Sequence, residues 1–547
     1  MTNPGLLWRT VRHLTLRQMV YQVLNRLRRR ARLLFPEVEP ESYFLTMPNA
    51  DKPVSWQNGT FTFLNQSQLF PEQIDWNFSG NGKLWTYHLN YFDFLNQPGM
   101  TAEAGLALVQ DFMNQTDTLR DGLESYPTSL RIINWVQFLS RNQINAATIN
   151  RHLFAQVHLL SRRLEYHLSG NHLLENGLSL LIGALYFRHE RWFRLAASLV
   201  CTELTAQVLA DGAHYERSPM YHQLLLDRLL TVLLALQRDT WHKENTLAAF
   251  LDQKASHMLH WLNAITFRNG DVPMVNDSVA GVAPTTRQLR EKAERMLQPS
   301  TGFVDIRPET KSTRRAESGY RFFRQERYEL MINIGSIGPD HQPGHAHADT
   351  FSFLLNVDNL PVIVDNSAST YQMSQRRAWE RSTAAHNTVE VNSSNSSEVW
   401  AGFRVGRRAR VKVQQDTESR LMASHDGYQC DNVIHERTWS VEETKICITD
   451  RLLEHTDSKA NRVGIARLYF HPAIQVADVD NVVMAGPIKI TFSSVTNFNF
   501  HVTRYDMADG FNRLQTGQCV EVVFDNQLET TIYLLDENPL PNVLFRA

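Results

Sequence analysis

The chain has 547 residues, 43% of them hydrophobic, and a formal net charge of -2. That length exceeds one ordinary domain and that apolar content fills large cores, so disordered and fibrous classes are excluded and two globular domains are expected. The near-neutral balance gives no global drive toward nucleic acid, yet it leaves room for a local basic cleft facing an anionic substrate.

The first predicted element is "LLWRTVRHLTLRQMVYQVLNRLRRRARLLF", Leu6 to Phe35, rich in arginine, free of acids and amphipathic in its spacing. Three readings fit it: a solvated helix packed on the body, a peripheral contact with an anionic membrane surface, or a nucleic-acid contact. Residues 1–80 are taken as this basic helix plus a lead-in. No apolar run reaches the roughly 18 residues that span a bilayer, and the N-terminus lacks the apolar core of a signal peptide. A cytoplasmic protein is expected, peripheral to the inner membrane if the helix meets lipid.

From Trp85 to Leu297 apolar residues recur at three and four, as in "SLRIINWVQFLSR", "NHLLENGLSLLIGALYF" and "YHQLLLDRLLTVLLALQRD". This predicts a long helical array over 81–315, with stop signals at "DGAH" and Asn269-Gly270. Beyond Tyr320 the texture changes to short β-branched runs such as "YELMINIG", "TFSFLLNV", "PVIVDNS" and "VGIARLYF". Many strands without intervening helices predict an antiparallel β-sandwich over 316–547, with the boundary near residue 315. The four cysteines, Cys201, Cys430, Cys447 and Cys519, form no CxxC pair and are expected to be free thiols.

Three polar clusters interrupt this scaffold. In "SGNHLLENG", Asn171, His172 and Glu175 open an apolar helix; Asn171 as a cap and His172 as a packing residue is the plain reading. In "DGAHYERSPMYH", Tyr215, Glu216, Arg217, Tyr221 and His222 surround a Ser-Pro helix start. The third cluster is "HQPGHAHADTFSFLL", His341 to Leu355, extended by "VIVDNSASTYQ" and "RRAWERSTAAHNTVEVN". If the strands that follow are neighbours, His347, Asp365 and His386 supply two imidazoles and a carboxylate, an ordinary zinc set, with Asp349 as an orienter of one imidazole. A metallo-hydrolase pattern His-x-His-x-Asp-His fails at Thr350.

Taken together and in order, "NHLLENG", "DGAHYERSPMYH", "GDVPMVNDS", "PGHAHADTFSF", "STAAHNTVEV" and "WAGFRVGRRARV" resemble the heparinase II/III-like polysaccharide lyase family, related to some alginate lyases. The resemblance covers roughly residues 80 to 450. It implies an (α/α) toroid followed by an antiparallel β-sandwich, and lytic β-elimination on a uronate-containing acidic polysaccharide or oligosaccharide. Asn171 and His172 match residues that neutralise the uronate carboxylate. Tyr221 and His345 match the proton-transferring pair, and Tyr371 matches a cleft tyrosine. Glu175, Tyr215, Glu216 and Arg217 are the accompanying substrate-binding candidates. His347, Asp365 and His386 match metal positions where zinc holds the cleft wall.

A phenol is a poor base at neutral pH unless a cation lowers its pKa, so Arg217 is expected beside Tyr221. Relatives of this shape resemble proteins encoded with surface-polysaccharide machinery, which points to a surface polymer or exopolysaccharide. Two other classes stay open. A glycoside hydrolase would use a carboxylate pair such as Glu175 and Glu216, and a glycan-binding protein would hold polymer without turnover.

Overall fold

A computed structural model describes residues 4–28, 30–48, 52–242, 246–297, 317–454 and 462–536. The expected boundary near residue 315 lies outside the described residues. The helices are α1 (Pro4–Val11), α2 (Leu16–Leu27), α3 (Lys83–Tyr91), α4 (Ala102–Asn114), α5 (Ser125–Arg141), α6 (Ala147–Arg162), α7 (Gly170–Tyr186), α8 (Glu190–Gln207), α9 (Pro219–Arg238), α10 (Thr246–Ile265), α11 (Thr286–Glu294) and, within the sheet half, α12 (Gln375–Glu380).

The helical half is a two-layered toroid. Helices α3, α5, α7 and α9 pack side by side as an inner layer, and α6, α8 and α10 each cover the inner helix they follow. Burial separates the layers. α5 is buried without a gap from Pro127 to Ser140, whereas α8 buries one stripe that includes Trp192, Ala196, Leu199, Val200 and Leu204. A helix apolar all round belongs inside, and an amphipathic one belongs at the rim. α7 is buried at every position except His172.

The sheet half is antiparallel throughout. A four-stranded sheet orders Tyr320–Arg324, Tyr328–Asn333, Phe353–Val357 and Leu360–Ile363 as a meander. Its alternation splits it between two cores. Tyr320, Phe322, Met331 and Leu354 join the toroid core, while Phe323, Leu330, Ile332 and Leu355 join the sandwich core. Strands buried on both faces read as continuous apolar runs, which is why "TFSFLLNV" shows no clean period of two. A second four-stranded sheet carries Val389–Val391 at one edge, and an eight-stranded sheet runs from Val411–Asp416 to Val476–Val479.

Two features of residues 1–80 differ from the expectation. The segment Leu6 to Phe35 forms two helices, broken where Thr15 caps α2 in a capping box with Gln18. The lead-in also contains a three-stranded meander, Trp56–Gln57, Thr60–Phe63 and Gln66–Leu69, whose first turn is Asn58-Gly59 with φ of 49° and 81°.

Candidate active site

The seam between toroid and sandwich gathers polar side chains from both halves. From the toroid, α7 opens with Ser169 and Gly170 at φ of 63° and 60°. Glycine is required at 170, because a Cβ there would collide with Glu216 Oε1. Asn171 is therefore inside the first turn, not a cap. Its backbone N–H donates to Glu216 Oε1 at 2.9 Å, so a buried carboxylate closes the helix N-terminus from outside. The Asn171 Oδ1 has no hydrogen-bond partner.

His172 is half-buried, packed against Tyr126 with ring centroids 4.2 Å apart and planes tilted by 34°, and 3.4 Å from Glu165 Oε1. Burial opposes a charge on His172, but Glu165, Glu216 and Glu175 outweigh it and hold the imidazole above its usual pKa. Glu175 is committed elsewhere, in a 2.7 Å ion pair with buried Arg228. Tyr215 is buried behind the cleft wall, edge-on to His341 at 5.7 Å.

Ser218 and Pro219 start α9 and place Tyr221 in its first turn. The Tyr221 ring stacks on His345, centroids 4.0 Å apart and planes 29° apart. Its hydroxyl lies 3.1 Å from the Tyr371 hydroxyl, which in turn donates to the Asp277 carbonyl at 3.3 Å. Arg217 is not beside Tyr221. Its guanidinium reaches the carbonyls of Ser336 and Glu317, so the expected cation is misplaced. Burial, then Tyr371, pushes the Tyr221 phenol well above its ordinary pKa. The guanidinium nearest this pair in role is Arg377, 5.0 Å from the Tyr371 ring centroid.

Asp277, which no local sequence pattern marks, holds the sheet-borne histidines. His345 Nδ1 is 3.0 Å from Asp277 Oδ2, and His347 Nε2 is 2.9 Å from Oδ1. Arg377 adds bonds from Nη1 at 2.5 Å and Nη2 at 2.7 Å. Burial alone would raise this carboxyl, but Arg377, His345 and His347 hold it well below the usual carboxylate range. Asp277 is thus ionised and accepts from a proton on His345 Nδ1. His345 Nε2 lies 3.5 Å from Glu216 Oε2. Glu216 thus lies between the Asn171 end of the site and His345, with its Oε2 free of a hydrogen-bond partner. Asn276, at φ 55°, turns the loop, with its side chain bonded to the Arg217 carbonyl at 2.8 Å and the His347 N–H at 3.1 Å.

Behind this wall the His347 and His386 rings lie 5.3 Å apart. Asp365 Oδ2 is 2.8 Å from His386 Nδ1, so Asp365 orients an imidazole, the part expected of Asp349. Burial pushes Asp349 up to about 6. His347 Nδ1 and His386 Nε2 are buried with no hydrogen-bond partner. Two orphaned imidazole nitrogens fit zinc. Among the described residues no three His, Cys, Asp or Glu side chains form a metal-binding group.

The open side of the site is a cavity of ≈ 460 Å³ lined by Tyr371, Phe403, Trp400, Met373, Arg404 and, from α1, Leu7. A helical toroid joined to an antiparallel sandwich, with tyrosine, histidine and asparagine meeting at the seam, defines the toroid-and-sandwich class of protein. The sequence matches the model "Heparinase II/III N-terminus" over residues 125–299 and "Heparinase II/III-like, C-terminal" over residues 307–541, and the chain belongs to the heparinase II/III-like family. It is 26% identical over 251 residues to a heparin-sulfate lyase of Pedobacter heparinus, covering 42% of this chain and 37% of that protein. A heparin-sulfate lyase of Bacteroides stercoris is 23% identical over 270 residues, 45% of this chain and 39% of that one. The match thus spans under half the length of either relative. The crystal structure of heparinase III superposes with a TM-score of 0.70 at 15% identity, covering 98% of this chain and 93% of the other.

Proposed function

We propose that the protein is a polysaccharide lyase that cleaves a uronate-containing polymer by β-elimination. The observation that carries this reading is the Tyr221 ring stacked on His345 at 4.0 Å, with Glu216, bonded to the Asn171 N–H, lying 3.5 Å from His345 Nε2. Elimination requires three things in one place: neutralisation of the uronate carboxylate, removal of the C5 proton, and protonation of the departing glycosidic oxygen.

The chain's own groups divide these tasks. His172, whose carboxylate neighbours favour its cationic form, and the side-chain NH2 of Asn171 donate to the uronate carboxylate and stabilise charge as the enolate develops. His345, fixed by Asp277 through Nδ1, takes the C5 proton on Nε2. Tyr221, kept protonated by burial, donates its hydroxyl proton to the leaving oxygen. Electrons from the C5–H bond form the new double bond as the C4–O bond breaks. His347 and His386 would hold a zinc ion through their two orphaned ring nitrogens, and such an ion would stiffen the wall that carries His345.

Both carboxylates of a hydrolase reading are engaged, Glu175 by Arg228 and Glu216 by the start of α7. The heparin-sulfate lyase names of the two relatives favour a glycosaminoglycan-like substrate. The test is incubation with heparan sulfate, alginate and bacterial capsular or exopolysaccharides, reading ultraviolet absorbance of an unsaturated uronate beside new reducing ends. Reducing ends without absorbance would replace this proposal with hydrolysis.

A further inference from the structure

Helix α2 packs through its polar face on both the toroid and the loop that carries His341. Buried Gln18 donates to the His341 carbonyl at 3.1 Å, Arg17 pairs with Glu203 at 2.9 Å, and Tyr21 lies on Tyr166 with centroids 4.7 Å apart. The opposite face is apolar and points to solvent. Leu16, Val20, Val23 and Leu27 are 74%, 46%, 57% and 76% exposed, at the spacing of a single helical stripe. Met19 widens the stripe, and on α1 Trp8 is 65% exposed. Folding normally puts these two faces the other way round.

Charge identifies the occupant. Residues 1–36 contain eight arginines and no acid. On the helical wheel Arg26 falls on one margin of the stripe, where its guanidinium meets headgroups while the aliphatic side chains enter the acyl boundary. A second copy docking here would bring two such arginine sets together, which disfavours a dimer. With 12 residues, α2 is too short to cross a bilayer, so it lies in the plane of the interface.

We propose that α1 and α2 form a docking element for an anionic lipid bilayer. It also sets where the cleft sits. Arg9 makes a two-point ion pair with Glu398, both bonds 2.7 Å, and Trp400 Nε1 donates to Thr10 Oγ1 at 3.0 Å, so α1, which adds Leu7 to the cavity lining, is fixed to the rim that carries Trp400 and Phe403. Docking therefore holds the mouth of the cavity close to the membrane surface, where it meets polymer displayed there. This holds whatever chemistry Tyr221 and His345 perform.

The test is flotation of the full chain with vesicles of equimolar phosphatidylglycerol and phosphatidylcholine, against vesicles of phosphatidylcholine alone. Binding to the anionic vesicles only, weakened by salt, is expected. Each of Arg12→Gln and Arg26→Gln lowers the bound-to-free ratio about five-fold. The triple variant Leu16→Gln, Val23→Gln, Leu27→Gln abolishes binding while circular dichroism and turnover stay those of the parent, because these side chains touch solvent. Failure of the parent to float, undiminished binding of the triple variant, or a stable dimer that the triple variant dissolves would each overturn the proposal.

Discussion

Arg377 closes a two-point ion pair on Asp277, across 100 residues of sequence and across the seam between toroid and sandwich. The same carboxylate holds His345 and His347, so one buried aspartate aligns the proposed base, the sheet wall and the guanidinium over Tyr371. Asp277→Asn keeps the shape but loses the charge. It lowers kcat roughly 10²–10⁴-fold by removing the bond that fixes the His345 tautomer. It also costs about 3–5 kcal/mol of stability, since Arg377 is left buried and unpaired. Adding Arg377→Met recovers part of the thermal midpoint without recovering turnover; equal recovery of both would deny Asp277 its orienting part.

Tyr221→Phe removes only a hydroxyl at the first turn of α9. Turnover falls by at least roughly 10²-fold with the circular dichroism spectrum unchanged. Tyr371→Phe removes the partner hydroxyl 3.1 Å away and has a smaller effect, roughly ten-fold. Activity that survives in Tyr221→Phe would remove that residue from the mechanism. With the phenol held well above its ordinary pKa, kcat should also show no alkaline decline as pH approaches about 10.

His222 is locked neutral, with Nδ1 accepting from the His214 N–H at 3.2 Å and Nε2 donating to the Met258 carbonyl at 2.9 Å. Burial lowers its pKa to about 4. Below the ordinary imidazole value near 6.5 the unfolded chain binds a proton that the folded chain refuses, so stability falls as pH drops from there to about 4. At about pH 5 the loss from His222 is about 2 kcal/mol. Thermal midpoints of the parent and His222→Gln, which can keep both bonds, measure this. The variant should show the shallower acid decline, and parallel declines would contradict the assignment.

His386→Ala and His347→Ala each remove one of the two orphaned ring nitrogens. Zinc bound per protein, by elemental analysis, and the thermal midpoint should fall together in both. Unchanged zinc content would end the ligand assignment.

The periods of three-to-four and of two made the toroid and sandwich legible, because burial of one helix stripe or one sheet face imposes them directly. Thr15-x-x-Gln18 was a visible capping box that breaks the N-terminal helix, and Asn58-Gly59 between "WQ" and "TFTF" was a visible hairpin turn. Both signals were outweighed by the arginine-rich periodicity around them and by the short length of the strands. Asp277 was harder to see. Its partners lie 68, 70 and 100 residues away, and no local pattern marks a single aspartate in "VNDS" as the one that meets two histidines and an arginine. Arg217 shows the opposite error: nearness in sequence to Tyr221 suggested contact, but φ of 56° turns it toward Ser336.

The most direct measurement of the central claim is mass spectrometry of the oligosaccharides released from a cleaved acidic polysaccharide in water labelled with heavy oxygen. Elimination breaks the C4–O bond without adding water, so the products should carry an unsaturated uronate end and no heavy oxygen, and they should be absent with Tyr221→Phe. One heavy oxygen per cleavage, or an undiminished yield from Tyr221→Phe, would contradict β-elimination at the Tyr221 and His345 pair.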